Sequence, residues 1–562
     1  MQKSNYFNEI IGTIKNNKLD KEKLSKLKVK LCKKHKLRKI PTDIEILLNS
    51  KIKDISKVKK YLLTKPVRSI SGVAPIAVMT KPFLCPHGKC SYCPGGINSV
   101  FGNVPQSYTG KEPATRRAIR NKYDAYLQVM NRLEQFIVSG HNPEKIELIV
   151  MGGTFPSFPM KYQKEFIKDS FKAMNDFSYL FYKNIFDIVK FKDFFELPGD
   201  IENKERTKRI QDKLLKLKNK KLKLETAQKK NETSKIRDVA LCIETRPDYC
   251  YEKHINEMLR LGTTRVELGV QTVYDRILKK IKRGHSVKDT IKATQLLKDS
   301  FLKVGYHMMP GLPDVSREMD LNSLNEMIKN PDFKPDALKI YPCMVMKGTE
   351  LYKKYKEKKF RPLSTKQAAD LIAEFKKNVP EYMRIMRVQR DIPTFMTEEG
   401  VDKTNLRQYI EKITKNKKIK CRCIRCREPK NKAIDFENIK IKKYFYEASN
   451  GMEVFISAED AKNDILAGFC RLRKPYRPFR KEITKKSVGI RELHVYGEAI
   501  GLGKKGKVQH MGLGRKLLKE AEKISKEKFS AKKILVISGI GARDYYRKFG
   551  YKLEGAYMVK KL

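Results

Sequence analysis

Three cysteines fall within nine positions of "CPHGKCSYCPGG", residues 85 to 96. Cys85, Cys90 and Cys93 follow a C-x4-C-x2-C spacing, a loop tight enough for three thiolates to point at one centre. Structural zinc takes four protein ligands, whereas a cube of four irons can be held by three cysteines with one iron left open. The open iron can be chelated by a small molecule and can deliver one electron to it. Gly95 and Gly96 follow at once and would let backbone approach cluster or ligand without a Cβ in the way. The alternative for the same residues is a structural zinc knuckle.

Two further groups carry chemistry. Cys421, Cys423 and Cys426 in "CRCIRCREP" have a C-x-C-x2-C spacing that suits zinc. A fourth ligand is then needed; Cys343 in "IYPCMV" is the expected one, with Cys470 and His494 behind it. Isolated Cys32, Cys242 and Cys250 are expected to be buried thiols, and His285 and His307 satisfied core histidines rather than substrate contacts. The other group is "QHMGLGRKL", residues 509 to 517, at the start of a helical stretch. Amides freed by Gly512 and Gly514 can hold a pyrophosphate there, helped by the positive helix end. Tyr545 and Tyr546 follow in "ARDYYRKFGY", where either could equally be a core residue.

These groups need a scaffold, and 562 residues imply roughly two to four domains. Residues 1–75 read as a basic helical unit: "KEKLSKLKVKLCKKHKLRKI" has ten basic residues and one acidic. From 76 to 395, strand-like runs such as "KIELIVMGGTF", "VALCIETRPD", "RVELGVQT", "KVGYHMMPGLP" and "ALKIYPCMV" alternate with amphipathic helices. That is the pattern of a parallel α/β sheet or partial barrel, whose chemistry belongs at the carboxyl ends of the strands. A Lys-rich insert at about 200–235 reads as a solvated helix or mobile excursion. Residues 396–440 form an irregular, zinc-binding linker. Residues 441–562 read as a mixed α+β domain opening with a hairpin at Asn450-Gly451.

Composition narrows the partners. Lys plus Arg total 122 against 64 Asp plus Glu, a net charge of +58, which attracts nucleic acid. A lysine-rich codon bias is the alternative source of part of that excess. No run of about 18 apolar residues is present to span a bilayer, and the polar start is no secretory signal. The chain reads as cytoplasmic with no membrane partner, where eleven cysteines imply metal or redox chemistry rather than disulfides.

With those motifs in order, residues 76–395 resemble the radical-SAM superfamily, despite one extra residue in the first cysteine gap. The resemblance implies a [4Fe-4S] cluster and S-adenosylmethionine (SAM). Tyr92 would shield the adenine, Gly152 and Gly153 would contact the SAM amino group, and Glu244 and Arg246 would meet ribose and carboxylate. Residues 441–562 resemble the GNAT acetyltransferases, which implies acetyl-CoA against Leu493, Val495, Gln509, Met511, Gly512, Leu513, Gly514, Arg515 and Tyr545, and a catalytic phenol, Tyr545 or Tyr546, by the thioester sulfur. Both domains in one chain, with "QSYTGKEPATRRAIRNKYDAY" and "RVQRDIP", resemble the catalytic subunit of Elongator in its archaeal form. That family implies carboxymethylation of the tRNA wobble uridine at C5. A SAM-derived 5'-deoxyadenosyl radical would take hydrogen from the acetyl methyl, so the mechanism calls for a cleft shared by the two sites. Arg116, Arg117, Arg120, Arg387 and Arg390 are the candidate tRNA contacts, while a homodimer or accessory subunits stay open. The alternative function is a protein lysine acetyltransferase with the cluster domain as a structural nucleic-acid platform; a methylthio-transferring enzyme would need an accessory domain that is missing.

Overall fold

The computed structural model describes residues 2–64, 72–200, 202–219, 222–430, 432–497 and 512–562. Four helices come first, α1 (Gln2–Asn16), α2 (Lys21–Lys34), α3 (Asp43–Asn49) and α4 (Ile52–Leu62). Their own small core joins Tyr6, Ile10, Leu31, Ile46 and Val58. Thr42 starts α3 with a capping box: its hydroxyl accepts from the Glu45 amide, and the Glu45 carboxylate accepts from the Thr42 amide.

The strand-like runs that follow become one seven-stranded sheet: β1 (Ala74–Met79), β2 (Lys145–Met151), β3 (Arg237–Thr245), β4 (Thr263–Gln271), β5 (Lys303–Met308), β6 (Ala337–Ile340) and β7 (Arg384–Arg387). They lie side by side in chain order, and every neighbouring pair is parallel. A sheet wound in one direction by successive strand-helix units curls, here into the expected half-barrel. The helix α5 (Ala125–Val138) is started by Asp124, whose carboxylate accepts from the Leu127 amide. It and α6 (Met160–Phe181) add Val129, Met130, Leu133, Phe171 and Phe177 to the main core.

The Lys-rich insert is helical, one of the two forms expected of it, but it is tied into the core. It folds as α7 (Lys204–Lys218) and α8 (Leu224–Thr233), with Ile210, Leu214, Leu224 and Ala227 buried in the main core. Glu232 on α8 pairs with Arg543 at 2.9 Å and Arg547 at 2.7 Å, so the insert braces the last domain rather than wandering from the fold.

That domain is a second seven-stranded sheet of β8 (Ile439–Ala448), β9 (Gly451–Asp460), β10 (Ile465–Lys474), β11 (Ser487–Val495), β12 (Lys533–Ile537), β13 (Lys552–Glu554) and β14 (Tyr557–Lys561). Its spatial order is β8-β9-β10-β11-β12-β14-β13, antiparallel except between β11 and β12. The hairpin turn falls at Ser449 and Asn450, both with positive φ (47° and 59°), as a two-residue turn between twisted strands needs. The helix α9 (Leu513–Glu527) covers one face through Leu517, Leu518, Ala521 and Ile524. β11 pairs with β12 only as far as Ile490, so the two strands part towards Val495.

The two sheets meet at the amino ends of the parallel strands. Asp299 and Asp336, each just ahead of a strand, bind Arg473 and Arg491 of the second sheet at 2.6 and 2.5 Å, and all four side chains are fully buried. Glu453 lies between the two arginines, 3.0 and 3.1 Å away. Gly489 is needed at this contact, because a Cβ there would stand 2.3 Å from the Phe301 ring. Among the described residues no helix is long and apolar enough to cross a membrane.

Candidate active site

A pocket opens at the opposite, carboxyl ends of β2 to β7. Cys85, Cys90, Cys93, Gly153, Thr154, Glu244, Arg246, His307, Tyr341, Arg387 and Arg390 all line it. Gly152 and Gly153 have φ of +121° and +113°, and a Cβ on Gly152 would lie 2.3 Å from the Thr80 hydroxyl. This turn therefore requires glycine for its backbone alone. Gly95 is explained differently from expectation: a Cβ on it would strike the carbonyls of Tyr108 and Pro105 at 2.3 and 2.5 Å, so it makes room for the chain itself.

The geometry of the cysteines separates the two metals considered for them. One zinc ion holds tetrahedral thiolates about 3.8 Å apart, given Zn–S bonds of about 2.3 Å. Among the described residues, Cys421, Cys423 and Cys426 have sulfurs all within 4.8 Å of one another, while the Cys85, Cys90 and Cys93 sulfurs do not form such a group. The loop at 85–93 thus fits a multi-iron cube better than a single ion. Burial, with Cys90 adding to it, pushes the Cys93 thiol up to about 11, so a thiolate there calls for a cationic group to hold it.

Below the pocket the strands carry alternating charged side chains inward. Lys339 donates to Glu244 Oε1 at 2.7 Å and also pairs with Glu267. Arg265 reaches Glu147 at 2.6 Å and Glu267 at 2.9 Å, and His307 Nε2 lies 2.8 Å from Glu267 Oε2. Burial alone would raise the Glu267 carboxyl, but Lys339 and Arg265 outweigh it and hold the group well below the usual range. Glu244, Glu267 and His307 are close enough to hold a metal ion, yet the Lys339 ammonium already pairs with both carboxylates and Arg265 with Glu267. Glu244 therefore enters the site as a carboxylate fixed by Lys339. Arg246 is likewise preset: it donates to Asp248 Oδ1 at 2.9 Å and to the Gly284 carbonyl at 2.9 Å. His307 is satisfied as expected but lines the pocket, whereas His285 is buried with neither ring nitrogen hydrogen-bonded to a side chain.

At the glycine turn, Gly512 precedes α9 with φ +79°, and Leu513 is buried beneath it. Gly514 faces Tyr545: a Cβ there would lie 2.6 Å from the phenol oxygen and 3.8 Å from Val495. Leu493 and Val495 are half-buried on the parting strand β11, and Arg515 is exposed. Of the two tyrosines, Tyr546 is buried in the domain core and Tyr545 is the one at the turn. Burial pushes the Tyr545 phenol up to about 12. Gln509 and Met511 lie outside the described residues. No described residue of the second sheet lines the pocket at the parallel strands' carboxyl ends, and the Tyr496 hydroxyl accepts from Arg384 at 2.8 Å at the amino end of β7. The expected shared cleft would have to be completed by residues 498–511, between β11 and α9, which lie outside the described residues.

Other expectations are corrected. Arg117 is buried and donates to the Ala77 carbonyl at 2.6 Å behind β1, which removes it from any surface path. Arg120 is half-buried and donates to Asn131 at 2.8 Å, while Arg116 is exposed. Arg387 and Arg390 do line the pocket; Arg390 donates to the Ser107 carbonyl and Arg387 pairs with Asp391. Cys343 is not beside Cys421, Cys423 and Cys426: it packs with Cys90, Cys93 and Met309 below the pocket, because β6 ends there. Cys470 is in the core of the second domain, and His494 stacks on Phe469, so neither reaches that thiol group. Its neighbour is instead Lys376, which donates to Cys426 Sγ at 3.3 Å.

Lys339, Glu267 and Arg265 went unnoticed in the sequence, although charged residues alternating with Val, Leu and Ile in "RVELGV" and "ALKIYP" are the mark of strands with a polar inner face.

Comparison with known proteins agrees with this layout. Residues 82–326 match the Radical SAM superfamily, 335–416 a Radical SAM C-terminal domain, 4–70 the ELP3 N-terminal domain and 422–551 the acetyltransferase (GNAT) family. A "tRNA uridine(34) acetyltransferase" of Methanocaldococcus infernus is 50% identical over 97% of this chain and 96% of its own length. An "Elongator complex protein 3" of Schizosaccharomyces pombe is 40% identical over 99% of this chain and 96% of its own. The solved structure of Methanocaldococcus infernus Elp3 lacking residues 1–46 covers 88% of this chain at 47% identity, with a TM-score of 0.72. With its half-barrel, its cysteine loop and its glycine turn in one chain, this protein belongs to the family of Elongator complex protein 3 and the archaeal tRNA uridine(34) acetyltransferases.

Proposed function

We propose that the protein modifies the wobble uridine of tRNA at C5, using acetyl-CoA as carbon donor and SAM as the radical source, to leave a carboxymethyl group. The observation that carries this is the pairing of a three-cysteine loop whose sulfurs lie farther apart than the Cys421, Cys423 and Cys426 group with a GNAT-type glycine turn, in one chain whose two sheets are joined by buried ion pairs. A cluster and SAM bound at Cys85, Cys90 and Cys93 supply one-electron chemistry able to break an unactivated C–H bond, which acid and base side chains alone do not. Gly152, Gly153, Glu244 and Arg246 would hold SAM, the last two with orientations already set by Lys339 and by Asp248 with Gly284. Gly512, Gly514, Leu493, Val495 and Tyr545 would hold acetyl-CoA, with Tyr545 near the thioester. Arg116, Arg387 and Arg390 are exposed or at the pocket rim, where a splayed anticodon base would enter. Cys421, Cys423 and Cys426 would hold zinc, with Lys376 offsetting the thiolate charge.

The test is anaerobic purification, iron reconstitution and reduction, followed by incubation with SAM, acetyl-CoA and tRNA. Formation of 5'-deoxyadenosine and a tRNA-dependent turnover of acetyl-CoA, both lost when Cys85, Cys90 and Cys93 are replaced by serine, is the expected result. Acetyl transfer to protein lysines that ignores tRNA and SAM would overturn the proposal in favour of a protein acetyltransferase.

A further inference from the structure

The extra residue in the first cysteine gap has a visible consequence. Pro86, His87, Gly88 and Lys89 separate Cys85 from Cys90, and the Gly88 amide donates back to the Cys85 carbonyl at 3.0 Å with φ +82°. This turn folds His87 onto its own loop, with Nε2 3.1 Å from Cys90 Sγ. A second segment clamps it there. Gly284 has φ +75°, and a Cβ on it would stand 2.5 Å from His87 Cβ, so the turn at 283–284 presses directly on the imidazole. Arg246 secures that turn through the Gly284 carbonyl at 2.9 Å. Next to Gly284, Arg283 places Nη1 3.7 Å from the same Cys90 sulfur while its Nη2 donates to the Gly269 carbonyl at 2.8 Å.

The direction of the hydrogen bond follows from the ring. His87 Nδ1 is buried and has no hydrogen-bond partner among the described residues. A metal-bound Cys90 carries no proton, so its sulfur can only accept. The proton then belongs on Nε2, and the orphaned atom is a bare lone pair rather than an unsatisfied N–H. The other two cysteines are served differently: the Ser107 amide donates to Cys93 Sγ at 3.2 Å, and the Thr154 hydroxyl is 4.0 Å from Cys85 Sγ. Cys90 alone receives a side-chain imidazole and a guanidinium.

We propose that His87, backed by Arg283, is a positioning residue that donates a hydrogen bond to the Cys90 ligand sulfur and thereby sets the ease of reduction of the cluster bound in this loop. Donation to a ligand sulfur withdraws electron density and favours the reduced state, in which the sulfur carries more charge. The role needs no change in protonation of the ring, and it rests on the cluster assignment made above.

The experiment is an EPR-monitored redox titration of the full-length, anaerobically reconstituted protein without substrates, with iron and sulfide content measured in parallel. His87→Leu is expected to retain its iron while the ratio of reduced to oxidised cluster, at a fixed potential near the parent midpoint, falls by about tenfold. That is a downward shift of about 59 mV for a one-electron couple. His87→Gln, whose amide can reach the sulfur, should return most of the shift, and His87→Asn, whose amide falls short, should not. The Gln and Asn pair decides the matter if the Leu variant loses iron. An unchanged midpoint in His87→Leu at full iron content, or equal midpoints for Gln and Asn, overturns the proposal. A parent protein that takes up no iron overturns the cluster assignment instead.

Discussion

Tyr545 and Tyr546 are adjacent in sequence and separate in role, and the difference can be measured. Tyr545→Phe removes only an oxygen that meets the Gly514 turn, so thermal stability should stay near that of the parent. Its tRNA-dependent acetyl-CoA turnover should fall by about 10²-fold, the usual scale for a lost proton-transfer or polarising group. Tyr546→Ala instead empties a buried site and should cost about 3–5 kcal/mol of unfolding free energy, seen as an earlier denaturant midpoint. Equal losses of turnover at unchanged stability in Tyr545→Phe and Tyr546→Phe would deny the distinction. Gly514→Ala pushes the Tyr545 phenol aside and should raise the KM for acetyl-CoA before it affects folding. At this scale the cysteine loop and the glycine turn were legible, since spacing alone constrains them. The charges of Glu267 and Lys339 were legible only in part, because their meaning depends on four strands meeting with the same side inward.

Among the elements, the turn after β2 shows backbone demand and site geometry combined. Gly152→Ala would bring a Cβ to 2.3 Å from the Thr80 hydroxyl and force an L-residue to φ +121°. Both effects should destabilise, together by about 1–3 kcal/mol. Adding Thr80→Ala removes the 2.3 Å contact but leaves the Thr80 amide nitrogen at 3.1 Å and the dihedral strain, so the double variant should recover part of the loss and no more; chemical denaturation of the four proteins of the cycle measures the split. Full recovery would show that the backbone conformation carries no penalty. Strand positions were readable here because most are short apolar runs ending at a Gly or Pro turn, as β2, β3, β5 and β6 are. The helices of the insert were legible, but its packing was not, for the opposite reason. Its few apolar residues, Ile210, Leu214, Leu224 and Ala227, are diluted by lysines that face solvent, and what they pack against is distant in sequence. The cysteines show the same limit: their spacing gave two triads, but only the fold reveals that Cys343 sits under the pocket and Lys376 beside the second triad.

The molecule as a whole is held by charge where its two sheets meet, and that arrangement has a consequence for acid stability. A strand of six residues spans about 20 Å, so the pocket at the carboxyl ends and the second sheet at the amino ends are separated by the length of the half-barrel wall. Buried ion pairs at the amino ends fix the relation between the two sheets. Glu453 is the keystone of that relation: its carboxylate contacts Arg473, Arg491 and Lys298, all buried, while Asp299 and Asp336 complete the arginine shells. Burial opposes ionisation of Glu453 and of Glu492, but Arg491 and Lys298 around the first, and Lys303 and Arg471 around the second, hold both far below their ordinary value near 4.5. A carboxyl depressed in the folded state contributes stability that is fully present above the unfolded value and is lost as pH falls below it. Unfolding free energy should therefore be level on this account from pH 7 to about 5 and drop below about pH 4.5, with the slope reduced in Glu453→Gln, which has one fewer such group to protonate. That variant should also lose about 3–5 kcal/mol at neutral pH, because buried Lys298 loses its paired carboxylate while Arg473 and Arg491 are each left with one, Asp299 and Asp336. Urea titrations of parent and variant at pH 7 and pH 4 test both parts, and a parent whose midpoint is the same at the two values would show that this network does not couple folding to protonation.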